Sequence, residues 1–136
     1  YAMIDSPVGT AAWIIEKFFS WSDLKKGNIN KIYSKDLLLT NIMIYILSKS
    51  FNTSSWVYFG RREEGGRNFP IKFNKIKVPT AIAEFPKEMS EWPPKSYVNR
   101  IFNVVRWTKM PRGGHFAALE EPELLIKDIK SFFKKI

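Results

Sequence analysis

The chain contains no cysteine. Disulfides and thiolate metal sites are therefore excluded, and a reducing compartment suits the sequence. The cytoplasm is the expected location. No long apolar run is present either. The longest, from Leu37 to Leu47, falls well short of the ~20 residues a membrane helix needs and is interrupted by Thr40 and Asn41. The first residues, YAMIDSPVG, begin with Tyr rather than Met and show no basic segment leading into an apolar one, so a signal peptide is not expected. Internal repeats and low-complexity tracts are missing. So is the G-x-S-x-G elbow that would mark a serine nucleophile. Histidine is reduced to a single residue, His115.

What is present suits one globular domain. The 136 residues are 45% hydrophobic and 15% aromatic, enough for a core. The net charge of +9 is scattered, with lysines alternating with apolar residues. That pattern describes a solvated basic face. Nucleic-acid binding would need a basic stripe or a known module, and neither is visible.

The first half reads as helices. Asp5-Ser6-Pro7 is an N-cap followed by proline in the first turn, and Ala12, Ile15, Phe18 and Phe19 follow at helical spacing. Gly27-Asn28 breaks the run. Ser34 caps a second helix, with Leu37, Leu38, Asn41, Ile42, Tyr45 and Ile46 on one stripe. Thr53-Ser54-Ser55 caps a third, short helix through Tyr58 to Arg62. Glu64 to Asn68 is the best linker in the chain.

The second half changes period. Val78 to Phe85 reads as a buried strand ended by Pro86, and Phe102 to Trp107 as another. A short helix around Ser96 to Arg100 lies between them. Glu121-Pro122 opens a last helix with Leu125, Ile129, Phe132, Phe133 and Ile136 on one face. Glu120, Glu121 and Glu123 stand at its positive end, and Lys134 and Lys135 at its negative end, as the helix dipole favours. This is an α/β pattern. Parallel strands are normally covered on both faces, so two of them read as the end of a larger sheet. A division into a helical segment, residues 1–67, and an α/β segment, residues 68–136, is expected.

The residue most open to chemistry is His115, in PRGGHFAA. A lone histidine can be purely structural. This one follows a strand and a Gly-Gly turn and precedes a helix, where open α/β sheets keep reactive groups. A histidine base needs an acid to orient it. Glu84 lies inside the preceding strand, where a structural pairing suits it better. Glu88 lies on the loop just beyond, and loops after neighbouring parallel strands lie side by side. No nucleophile stands out: of the acids at turns upstream, Asp5 and Asp36 read as helix-start residues, and Asp23 has no strand before it.

Four segments resemble the epoxide hydrolase family of the α/β-hydrolase superfamily, in its microsomal and bacterial branch: DSPVGTAAWIIEKFFSW, DLLLTNIMIY, VPTAIAEFPKE and WTKMPRGGHFAALEEPELL. The resemblance covers nearly the whole chain and is to that family's C-terminal half. It implies a helical lid segment followed by the last two parallel strands and helices of the hydrolase core. It implies that His115 is the water-activating base, Glu88 its acid partner and Tyr58, in TSSWVYF, a lid tyrosine. The family's usual lead-in to that helix is glycine then threonine. Here it reads Lys49-Ser50, which leaves Phe59 open as the aligned position. The nucleophilic aspartate, the oxyanion-hole loop and a second lid tyrosine are expected in a missing N-terminal half.

The mechanism the resemblance implies needs no metal or organic cofactor. An aspartate attacks the epoxide, lid phenols hydrogen-bond the departing oxygen, and a covalent ester forms. His115 then takes a proton from the water that hydrolyses the ester, so it must be neutral. The expected partners are an apolar epoxide, with Trp13, Trp21 and Trp56 near it, water, and the missing half of the core. Two other readings stand beside this one. A sibling hydrolase, such as an esterase or dehalogenase, would share the histidine and acid. A non-catalytic remnant or interaction module would expose sheet edges and self-associate.

Overall fold

The computed structural model describes residues 3–65 and 74–134. Helix α1 (Pro7–Ser20) opens on Ser6, whose Oγ accepts the Gly9 N–H at 3.0 Å. Helix α2 (Lys35–Leu47) opens on Ser34, whose Oγ accepts the Leu37 N–H at 3.1 Å. Each cap satisfies an N–H that a helix start leaves open. Two short 3-10 turns, Lys25–Gly27 and Ile29–Lys31, join them.

Helix α3 (Phe51–Glu63) begins earlier than its serines suggest. The hydroxyls of Thr53, Ser54 and Ser55 do not cap it. They donate back to the carbonyls of Ser50, Phe51 and Asn52, a local use of hydroxyls that competes with capping. The turn before α3 is a Schellman motif. The Lys49 N–H donates to Ile46 and the Ser50 N–H to Tyr45, with Lys49 at φ +54°. That left-handed position is the one glycine normally fills.

The second part is α/β. Strands β1 (Ile76–Glu84) and β2 (Phe102–Lys109) pair in parallel, connected through α4 (Lys95–Ile101). Pro79 falls at a shift in register, where its missing N–H costs least. A four-residue helix, α5 (Ala117–Glu120), and α6 (Pro122–Phe133) close the chain. Residues 66–73, where the expected boundary between the two segments falls, lie outside the described residues.

The main core is helical. Ile14, Phe18, Tyr33, Leu38 and Ile42 are buried together, with Phe116 packed against them. On α1 the inward face is Thr10, Ile14 and Phe18, while Ala12, Ile15 and Phe19 are exposed, so the expected stripe is displaced. Thr10 can be buried because its hydroxyl donates to the Met3 carbonyl at 2.7 Å. Helix α6 also differs from its apolar pattern. Ile129 and Phe133 are exposed, and the residue it buries is Asp128. That carboxylate accepts from Arg106 and Thr108 of β2, so a polar network holds α6 on the sheet.

Candidate functional site

Beyond the strands the parallel pairing resumes once, as a bridge between Lys87 and Gly114. The next residues along each segment are Glu88 and His115. Register alone therefore sets them side by side. His115 Nδ1 lies 2.6 Å from Glu88 Oε1. The same oxygen accepts the Met89 N–H at 2.8 Å, which fixes the carboxylate. An ionised carboxylate only accepts, so Nδ1 is the donor of this contact and Nε2 is the nitrogen left for other chemistry. Among the described residues nothing hydrogen-bonds Nε2. The imidazole side chain is 38% exposed and that of Glu88 23%. Trp21 stands edge-on to the ring at 5.1 Å, and Phe116 does the same at 5.1 Å.

The backbone carrying His115 is held tightly. Gly113 has φ +107°, and a Cβ there would sit 2.7 Å from the Phe85 ring. At Gly114 a Cβ would lie 2.6 Å from the Trp21 carbonyl oxygen and 2.9 Å from that of Lys87. Only glycine admits both approaches. The His115 N–H donates to the Trp21 carbonyl at 2.9 Å. The Gly113 N–H donates to Asp23 Oδ2 at 3.0 Å. Asp23, weighed above as an upstream acid, is thus engaged with this loop. Glu120, assigned by its position to the dipole of the last helix, instead turns toward the loop. It accepts the N–H groups of Asp23, Gly114 and Phe116 at 2.7, 2.9 and 2.9 Å. Nothing local in the sequence marks Asp23 and Glu120 as partners, because the Asp23–Glu120 contact spans 97 positions.

The other expected residues fall elsewhere. Glu84 accepts from the Trp107 indole, the structural pairing its place in the strand suggests. Tyr58 lies on α3, 67% exposed, beside a cleft of about 260 Å³ shared with Met3, Trp13, Tyr45, Phe51 and Ser54. His115 and Glu88 do not line that cleft, and no hydrogen bond joins Tyr58 to either among the described residues. Its neighbour Phe59 is equally exposed. Of the three tryptophans, Trp21 touches His115, Trp13 lines the Tyr58 cleft, and Trp56 is exposed. Among the described residues no group of three acidic or histidine side chains could hold a metal, and no helix is long and apolar enough to cross a membrane.

No protein-family model matches the chain. Individual proteins do. Epoxide hydrolase 1 of Sus scrofa is 40% identical over 96% of the chain. Juvenile hormone epoxide hydrolase 2 of Ctenocephalides felis is 38% identical over 98% of it. In both cases the chain spans 30% of the relative's length. The crystal structure of juvenile hormone epoxide hydrolase from Bombyx mori superposes with a TM-score of 0.87 at 27% identity, over 98% of this chain and 33% of that one. Aspergillus niger epoxide hydrolase gives 0.71 at 26% identity, over 99% and 32%. Along nearly all of its length, the chain matches the C-terminal part of epoxide hydrolases with the α/β-hydrolase fold.

Proposed function

We propose that the chain supplies the hydrolytic half-site of an epoxide hydrolase, with His115 as water-activating base, Glu88 as its acid and Tyr58 as a lid donor. One observation carries the reading: the 2.6 Å contact from His115 Nδ1 to Glu88 Oε1, which leaves Nε2 as the basic atom. An aspartate on a segment outside these residues attacks an epoxide carbon, the C–O bond breaks, and the ring oxygen leaves as an alkoxide. Tyr58 hydrogen-bonds that oxygen as charge develops on it. The product is an aspartyl ester. Nε2 of His115 then accepts a proton from water, and the hydroxide adds to the ester carbonyl. Glu88 stabilises the imidazolium until its proton returns to the products. The ester collapses to a vicinal diol and free aspartate.

Tyr58 stands on α3, a helix that buries none of its residues. A substrate or a covering segment would enclose it. Trp13, on α1, lines the cleft beside Tyr58, and Trp56 stands exposed on α3; both suit an apolar substrate.

The test is turnover of styrene oxide by the chain alone and by the chain joined to a nucleophile-bearing N-terminal segment of a relative. The joined protein is expected to release diol, and the chain alone none. Diol from the chain alone would show that its nucleophile lies within these residues. Within the joined protein, epoxide turnover unchanged by Tyr58→Phe would remove Tyr58 from the mechanism.

A further inference from the structure

We propose that Glu120, with Asp23 beside it, is a positioning residue that holds His115 in register with Glu88. The inference rests on the reading of His115 as the base. Four successive N–H groups, those of residues 113 to 116, all donate into one small region. Gly113 donates to Asp23 Oδ2, Gly114 to Glu120 Oε2, His115 to the Trp21 carbonyl and Phe116 to Glu120 Oε1. Consecutive N–H groups of this kind form an anion-binding concavity. Here the anions are two side chains of the protein itself.

The Glu120 carboxylate grips the backbone on both sides of His115, at Gly114 and at Phe116. Its third bond, to the Asp23 N–H, ties the loop to the segment that follows α1. The opposite side of the loop is fixed by the Lys87 N–H, which donates to the Gly113 carbonyl at 3.1 Å. Lys87 immediately precedes Glu88. A shift of the loop along its own axis would therefore break bonds on both sides before it could separate Nδ1 from Oε1. A carboxylate suits the role because both of its oxygens accept. An amide offers one acceptor and presents N–H groups where the other is needed. Glu120 touches neither substrate nor reacting atoms; it acts through the backbone of His115.

His115 is the sole histidine, so 15N-histidine NMR of the full chain reads its ring without overlap. The wild-type chain is expected to show a hydrogen-bonded, slowly exchanging Nδ1 proton. Glu120→Gln is expected to lose the Nδ1 proton signal and mix the tautomers while far-UV circular dichroism stays unchanged. Glu120→Asp, which keeps the acceptors, is expected to restore part of the signal. Glu88→Ala, which removes the acceptor, must lose it in every case. An Nδ1 signal untouched by Glu120→Gln but lost in Glu88→Ala would overturn the clamp and leave the pair intact. If Glu120→Gln does not fold, Asp23→Ala, which removes the acceptor, frees only the Gly113 N–H and is expected to speed exchange of the Nδ1 proton. Unchanged exchange there would equally overturn the proposal. Failure of the functional reading is seen separately, as a joined enzyme that forms no diol.

Discussion

The loop that carries His115 and the helix that carries Tyr58 are built on opposite plans. Residues 113 to 116 donate every backbone N–H to a fixed partner, and both glycines are buried. Helix α3 buries nothing, and its hydroxyls satisfy their own helix. A base must be held within hydrogen-bond reach of its acid before reaction, because misplacement is lost directly from the rate. A lid donor meets its substrate at the surface and gains its surroundings when the site is covered. The contrast suits the proposed roles, with a preformed hydrolytic part and a lid part completed by other groups.

Substitutions on the two sides should therefore differ in size. His115→Gln in the joined enzyme is expected to slow diol release by ~10²–10⁴-fold, the usual range for a general base, measured as turnover of styrene oxide. Next comes Gly114→Ala, whose new methyl meets backbone atoms of Trp21 and Lys87 on both sides. It is expected to cost roughly 3 kcal/mol in urea unfolding, at the upper end for overpacking. The matching change on α3, Gly60→Ala, meets nothing within 4 Å. It is expected to stabilise by roughly 0.5–1 kcal/mol, the ordinary helix preference for alanine. An equal cost at both positions would erase the contrast.

Tyr33 reports on the same loop through its charge environment. It is 1% exposed and hydrogen-bonds Ser22 at 2.7 Å. Burial pushes its phenol up to about 12; the Ser22 hydrogen bond opposes this, and the charge of Glu120 adds to the rise. The folded state thus prefers the neutral phenol. The stability this contributes is fully present below pH 10 and is lost as pH rises toward 12. Spectroscopic titration of the tyrosines should show one ionising late, and Glu120→Gln should bring it earlier. An effect of similar size to that at Gly60 is expected at Lys49→Gly. Relief of a left-handed lysine should stabilise α2 and α3 by about 1 kcal/mol, read as a higher unfolding midpoint.

Much of this architecture is legible in the sequence because it is local. Ser6 and Ser34 cap their helices through bonds to the third residue on. The neighbourhood of Glu88 and His115 follows from parallel strands followed by loops, although the two are 27 positions apart. What is not legible is set by distant contacts. Asp23 and Glu120 look like ordinary turn and helix-start acids until the fold brings them to the glycine loop. Asp128 interrupts an apolar face with no sign that Arg106 waits on β2. Thr53 to Ser55 have the composition of a cap, and only the Schellman turn at Lys49 moves the helix start ahead of them.

In the proposed mechanism His115 activates the water that frees the product, and does not act in ring opening. Mass spectrometry of the joined enzyme after a single turnover tests it most directly. The His115→Gln variant is expected to hold one epoxide mass as a covalent ester and to release no diol, while the wild type releases diol and returns to its free mass. Diol release by the variant at the wild-type rate, or failure to form the ester at all, would contradict that role for His115.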